Sequence, residues 1–344
     1  MPNRKQITLR TLADHLGLTV HTVSKALRGL PGMSEQTRKE VIDLAMKLGY
    51  RTKNQEQGMA VEHIPIYSSK SRRFAFIVPN TGMVYIHQSL YEGIQSRLAE
   101  FGHKLEMLFA PSDAVSDEAF NEWADKYSLL FTDGLFLTPM ITAKTEEKLL
   151  SLPLPKVLLN YPPPAAQVDS VMWDVSSAVH QSVQYLLSRG HRRILYIGDI
   201  HLHRGFRLRW QAFREAMATA GLTVDEEHHL TDTGSPDTYT LKLTRMLERI
   251  KPTAIIAGID HDLSWVYYGC SLIGRKIPVD YSIVGLEHSP NIRISDLTRP
   301  ILPIKEVGFR GADRMLWRLA NPNLPFEHIR LQGGFYDGAT VLPL

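Results

Sequence analysis

Cysteine is almost missing from this sequence. Cys270 is its only example in 344 residues, so no intrachain disulfide can close and no cysteine-built zinc site can form. No uninterrupted apolar run approaches the ~18 residues that a membrane-spanning helix needs. The segment Met1 to Arg10 is polar and basic with no apolar stretch behind it, which predicts no secretory leader and a cytoplasmic protein. Low-complexity tracts and repeats at solenoid periods are absent as well. So are the motifs that carry common enzymatic chemistry: no G-x-G-x-x-G follows the first strand-like run, and there is no P-loop, H-E-x-x-H or G-x-S-x-G turn. His228 and His229 stand beside Glu226 and Glu227, but without a second group of ligands they predict an exposed loop rather than a metal site. These absences predict no enzyme, no cofactor and no metal.

What is present is ordinary for a soluble chain, 44% apolar and 22% charged. Its length suits one small unit plus a larger one. Charge is unevenly placed. Residues 1–53 hold ten Lys and Arg against four Asp and Glu, although the whole chain is only +3; the rest is therefore slightly acidic. A basic head on an acidic body is the asymmetry expected when only the head meets a polyanion, although a merely soluble basic tail would share it.

Residues 7–50 read as three short helices. Leu9, Leu12, Ala13 and Leu16 fall at helical spacing behind Thr8, a capping hydroxyl, and Gly17 stops the run. Thr19 caps a second helix from Val20 to about Leu27, with Val23, Ala26 and Leu27 inward. After the Leu30-Pro31-Gly32 turn, Ser34 caps a third, whose stripe is Val41, Leu44, Ala45 and Leu48. Two helices across a glycine turn with a third behind them make a helix-turn-helix, though plain packing hairpins share the pattern. The second helix presents Val20, His21, Thr22, Ser24, Lys25 and Arg28 on or near its outer face. Leading side chains of such a helix reach base edges in the major groove, hydroxyls hold phosphates, and Lys25 and Arg28 suit guanine or phosphate.

The wording is more specific than the pattern. The segment ITLRTLADHLGLTVHTVSKALRGLPGMSEQTRKEVIDLAMKLGY resembles the head of the LacI/GalR family of bacterial repressors, including Thr22-Val23-Ser24, Ser34 with Thr37-Arg38, and the closing Leu48-Gly49-Tyr50. The resemblance implies that Val20 and His21 read bases and that Lys25 stands at the family's usual arginine. It also implies that Thr8, Thr22, Ser24, Ser34, Thr37 and Tyr50 hold the DNA backbone of a double-stranded operator. The family follows its closing tyrosine with a Pro-Asn pair and a hinge helix that wedges a leucine into the minor groove. The proline is missing here, Glu56 stands where alanine is usual, Gly58 costs a helix about 1 kcal/mol relative to alanine, and Met59 takes the leucine position. Methionine can still act as an apolar wedge. Alternatively, this stretch is a plain tether, as the long segment from Ala60 to Arg73, with Pro65 and several polar residues, suggests.

From Phe74 on, strand-like runs (Phe74–Val78, Leu105–Ala110, Gly134–Leu137, Val157–Leu159, Ile194–Ile197, Ala254–Ala257, Ser282–Gly285) alternate with helical patterns such as Leu90–Phe101, Val175–Ser188, Arg209–Ala220 and Leu263–Ile273. Such alternation implies an α/β body of parallel sheets covered on both faces. GHRRILYIGD at 190–199, PTAIIAGID at 252–260, GRKIPVDYSIVGLEH at 274–288 and LTRPILPIKEVGFRGADRML at 297–316 resemble the same family's core. That resemblance implies a type I periplasmic-binding-protein fold with two Rossmann-like lobes, three crossovers and a ligand cleft. The expected organisation is a helix-turn-helix domain over 1–53, a linker over 54–73 and a core over 74–344. Within the core, lobe 1 takes about 74–189 and 291–323, and lobe 2 about 190–290 and 324–344.

Ligands of open α/β sheets sit beyond the C-terminal strand ends. Tyr85, Asp174, Arg209 and Asp260 follow strands or extended stretches, and the resemblance places an effector against all four. Each has an ordinary alternative: helix packing for Tyr85, helix capping for Asp174 and Asp260, and an ion pair for Arg209. Trp173 and Trp210 offer flat faces for a sugar but equally suit a core. Ile259, Glu287-His288 and Asp337 depart from the family's usual residues, while Arg204, Arg207 and Arg209 with His201 and His203 would attract an anion or else form a solvated helix entry. The sequence therefore predicts a DNA-binding regulator, a homodimer with no membrane partner, governed by a sugar or an anionic sugar derivative. Its rivals are a solute receptor and a Rossmann-like enzyme.

Overall fold

The computed structural model describes residues 7–28, 30–48, 50, 71–80, 84–112, 116–232, 236–259, 263–286 and 296–344. The chain divides into two compact units, 1–64 and 65–344. The expected linker and Met59 fall almost wholly outside the described residues, as does Asp260.

The first unit has three helices, α1 (Leu9–Leu16), α2 (Val20–Leu27) and α3 (Glu35–Leu48). Each begins where a hydroxyl supplies the acceptor that the first turn lacks. Thr8 Oγ1 accepts from Thr11 N at 3.2 Å, Thr19 Oγ1 from Thr22 N at 3.1 Å and Ser34 Oγ from Thr37 N at 3.1 Å. Gly17 ends α1 at φ 62°, a left-handed conformation that side chains resist. Leu12, Ala13, Val23, Ala26, Val41 and Ala45 form the buried core. Small residues on α2 let it lie close to its neighbours.

The second unit holds two parallel sheets. The larger has the order β10-β5-β4-β3-β1-β2, from β1 (Arg73–Val78), β2 (Lys104–Phe109), β3 (Gly134–Leu137), β4 (Lys156–Leu158), β5 (Asp169–Trp173) and β10 (His328–Leu331). The smaller has the order β6-β7-β8, from Ile194–Ile197, Ala254–Ala257 and Ser282–Gly285. Strand alternation sends Phe74, Phe76 and Val78 to one core and Ala75 and Ile77 to the other. The smaller sheet likewise divides Ile194 and Tyr196 from Leu195 and Ile197. Hence each sheet is apolar on both faces, as a parallel sheet must be.

Helices α4 (Tyr85–Ala99), α5 (Asp117–Lys126), α6 (Ala143–Ser151) and α11 (Ile304–Ala320) accompany the larger sheet, and α7 (Val175–Ser188), α8 (Arg204–Thr219), α9 (Pro236–Ile250) and α10 (Ser264–Leu272) the smaller. Backbones of α4 and α11 nearly touch: a Cβ on Gly93 would lie 2.1 Å from Lys305 O, and one on Gly308 2.2 Å from Leu90 O. The short β9 (Arg299–Pro300) and β11 (Phe335–Tyr336) pair antiparallel.

Three boundaries differ from the sequence reading. Helix α7, grouped with lobe 1 up to 189, buries Val179, Val183 and Leu186 in the core of the smaller sheet and packs on α8. Segment 324–331, grouped with lobe 2, instead carries β10, whose His328 pairs in parallel with Ser170 of β5. Thr298, grouped with lobe 1, accepts from Gly285 N at 3.2 Å and joins lobe 2. Helical periodicity shows that α7 has an apolar face but not which sheet receives it, and the short extended segments around Thr298 and β10 carry no periodicity that could tell. Among the described residues no helix is long and apolar enough to cross a membrane.

Candidate nucleic-acid interface and ligand cleft

Helix α2 presents its first residues outward. Val20 is 43% exposed although apolar, His21 is exposed, and Thr22, Ser24 and Lys25 are half-buried on the flanks. Exposing a valine at a helix start gains nothing in a monomer, whereas the same side chain can pack on a thymine methyl. Arg28 stays exposed while its Nε donates to Ser24 O at 3.2 Å. Thr8, Ser34 and Thr37 are spent on capping bonds, yet a hydroxyl retains acceptor and donor capacity for a phosphate oxygen. Tyr50 packs against the head core and donates its N–H to Ala45 O at 2.9 Å. The structure thus brings Val20, His21, Thr22, Ser24, Lys25 and Arg28 onto one short helix and its C-cap.

Between the two sheets of the larger unit lies a narrow cavity of about 20 Å³, room for a single water. Lobe 1 lines it with Ile86, Met140, Asn160, Tyr161, Met172 and Trp173, and lobe 2 with His203, Gly205 and Arg209. Of the three expected effector residues that are described, Tyr85, Asp174 and Arg209, only Arg209 lines the cavity. It sits on the second turn of α8, not at the helix start as the sequence suggested, because the helix begins at Arg204. Its Nη1 donates to Gly258 O at 2.9 Å and its guanidinium lies 4.5 Å from the Phe206 ring centre.

Asp174 instead caps α7, accepting from Ser177 N at 3.0 Å and from Ser177 Oγ at 2.9 Å. Tyr85 opens α4 and is 37% exposed; neither residue lines the cavity. Trp210 belongs to a core of stacked rings with Phe213 and Tyr196.

A latch crosses the cleft. Arg204 of α8 donates through Nη2 to Glu146 Oε1 of α6 at 2.7 Å and through Nε to Tyr161 O at 2.8 Å. The Glu146 side chain is 4% exposed, so it would be costly to leave unpaired. The sequence reading treated Arg204 as one of an exposed run; no local signal marks a partner 58 residues away.

His229 is half-buried, not on an exposed loop as the sequence suggested. It lies against the rings of Trp210 and Phe213, with Nδ1 accepting from Tyr196 N at 3.0 Å. Burial, followed by the nearby His228, lowers its pKa to about 4. The folded state therefore holds fewer protons than the unfolded one, whose histidine titrates near 6.5. Its stabilising contribution is complete above pH 6.5 and is lost as pH falls towards 4. Lowering the pH from 7 to 4.5 should cost the larger unit of order 2 kcal/mol through this group. His229→Asn, whose amide oxygen can accept the same bond, should show a visibly flatter decline in thermal unfolding. Equal declines in the two proteins would refute the assignment.

Comparison with known proteins agrees with this arrangement. The sequence profile of the Periplasmic binding protein-like domain matches residues 183–341. Catabolite control protein A of Priestia megaterium is 25% identical over 322 residues, covering 92% of this chain and 93% of that protein. The HTH-type transcriptional regulator GntR of Escherichia coli K12 is 24% identical, covering 98% and 99%. Among solved structures, a complex of the transcriptional regulator CelR with cellobiose superposes with a TM-score of 0.67 at 21% identity, covering 97% of this chain and 99% of that one. The lac repressor dimer bound to operator and the anti-inducer ONPF gives 0.66 at 17%, covering 98% and 100%. The likeness in fold therefore extends over head and body alike.

Proposed function

We propose that this chain is a transcription regulator of the LacI/GalR type, a cytoplasmic homodimer whose heads read an operator while a small molecule in the interlobe cleft sets their grip. The observation that carries the proposal is the outward presentation of Val20 and His21 at the capped start of α2, above a core that fixes the helix. Val20 and His21 read base edges, and Lys25 and Arg28 meet guanine or phosphate. The hydroxyls of Thr8, Thr22, Ser24, Ser34 and Thr37, with Tyr50, hold the backbone and fix the register. One short helix buries too little to be selective alone. Two heads on one dimer add through effective concentration and read half-sites about one helical turn apart.

Regulation follows from linkage. The cleft is held nearly shut by Arg204 on Glu146, and ligand pockets for drug-sized molecules run to about 300 Å³ or more. An effector must therefore part the lobes, and it shifts the protein only by its different affinity for the parted and shut states. Arg209, at the cavity wall, is the effector contact on which this reading rests. A sugar or sugar derivative, neutral or anionic, is the effector class: cellobiose accompanies one structural neighbour and ribose another.

The test is a mobility-shift selection. Full-length chain incubated with a genomic fragment library should retard a small, reproducible set of duplexes that unrelated DNA in excess does not displace. A solute receptor or an enzyme on this fold would enrich none.

A further inference from the structure

Trp173 closes β5 and lines the interlobe cavity. It is only 7% exposed, and its Nε1–H is buried without an acceptor. Leaving such a donor unsatisfied costs about 1–3 kcal/mol, so a protein retains one only where something else repays it. Two neighbouring polar side chains of the same lobe, Tyr161 and Asn160, do have partners. Tyr161 Oη donates to Trp173 O at 3.3 Å and accepts from Val175 N at 3.2 Å, a pair of bonds that also fixes the backbone on which the indole stands. Asn160 Oδ1 accepts from Tyr161 N at 2.8 Å. The cavity wall that the indole shares is largely apolar, with Ile86, Met140, Leu159, Met172 and Val175, and takes its polar groups from Asn160, Tyr161, His203 and Arg209.

We propose that Trp173 is a specificity-determining residue of the cleft, its indole N–H donating to an acceptor oxygen of a sugar ring whose apolar C–H face lies on the surrounding wall. This rests on the sugar-class reading above and sharpens it. Sugars combine an apolar ring face with a ring oxygen and hydroxyls that accept hydrogen bonds, which is the pairing that an indole edge set in aliphatic surroundings selects. A ligand with no acceptor at that point leaves the donor buried and unpaired, so discrimination comes from a penalty on the wrong molecule as much as from a gain with the right one.

The experiment uses the full chain and four probes: cellobiose, D-ribose, D-glucuronate and D-glucose 6-phosphate, titrated by calorimetry. Trp173→Phe keeps an aromatic ring and removes the donor. A probe that binds the parent should bind this variant about three- to tenfold more weakly, the loss of one neutral hydrogen bond. A second measurement uses the variant only to assign a signal. With indole nitrogens labelled, the buried unpaired donors of Trp173 and Trp265 should both resonate upfield among the five tryptophans; the one missing from Trp173→Phe should move downfield on saturation of the parent with that probe, because that donor gains an acceptor. Equal affinity in parent and variant, or a Trp173 signal that stays in place on saturation, overturns the role of Trp173 and leaves the cleft as a sugar site. Failure of all four probes to bind the parent overturns the sugar class and the inference with it.

Discussion

Alanine at both His21 and Lys25 is expected to weaken operator binding by about 30-fold or more while leaving the fold intact. Each base-edge contact is worth about 1–3 kcal/mol, and the two side chains stand one helical turn apart on α2. His21 is exposed and Lys25 half-buried on a flank, so neither substitution opens the core of Leu12, Val23 and Val41. Thermal unfolding of the head should therefore stay within about 0.5 kcal/mol of the parent. The single variants divide the roles. If Lys25 meets a phosphate, Lys25→Ala lowers affinity evenly across sequences and reduces the salt slope by about one unit; if it meets guanine, selectivity relaxes at one position. For His21→Ala the expected result is relaxed selectivity with an unchanged salt slope. Retention of full selectivity by the double variant would remove α2 from the reading face.

The head was legible residue by residue because its signals are local. Capping hydroxyls at Thr8, Thr19 and Ser34, a stop at Gly17 and apolar spacing at three and four each act within one turn, and the structure realises all of them. Four strands of the body, such as Gly134–Leu137 and Ile194–Ile197, were equally plain, since a buried parallel strand is a short apolar run between polar flanks. Helices α5 and α6 were not among the patterns read, although Ser116 and Thr142 cap them as the head's hydroxyls cap theirs. The ligand site was the least legible. Arg209 was visible as a charge after a strand, but Trp173 reads in sequence as core, and only its unsatisfied N–H beside a cavity separates it from core. Likewise Asp174 reads equally well as a ligand contact or a cap, and its two bonds to Ser177 are the cap. Long-range pairing, the property that turns Arg204 and Glu146 into a latch, leaves no periodic trace.

A buried ionic cluster makes the sharpest stability prediction. Asp169, fully buried at the start of β5, accepts from Arg314 Nε at 2.9 Å and Nη2 at 2.7 Å, from Arg318 Nε at 2.5 Å and from Glu327 N at 2.9 Å. Arg314 also meets Glu327 at 2.7 Å, and its guanidinium lies 3.8 Å from the Trp317 ring centre. Arg318 donates to the carbonyls of Asn321, Pro322, Leu324 and Pro325. One carboxylate thus binds α11 to β5 and to the chain entering β10, across three segments of sequence. Asp169→Ala would leave two buried guanidinium groups short of their counter-charge, which costs about 3–5 kcal/mol. Urea unfolding of the larger unit should move to a markedly lower midpoint with an unchanged slope. Asp169→Asn, which still accepts a hydrogen bond, should fall between parent and alanine. The triple exchange Asp169→Leu, Arg314→Met, Arg318→Leu removes every charge of the triad together, so it should lose less stability than Asp169→Ala alone. That ordering follows from desolvation: a complete ion cluster repays little beyond its own burial, whereas a broken one keeps the whole penalty. An Asp169→Ala loss below about 1 kcal/mol would mean that Glu327 suffices as counter-charge for Arg314 and that the carbonyls around Arg318 suffice for its guanidinium, with α11 held chiefly by its close backbone contact with α4 at Gly93 and Gly308.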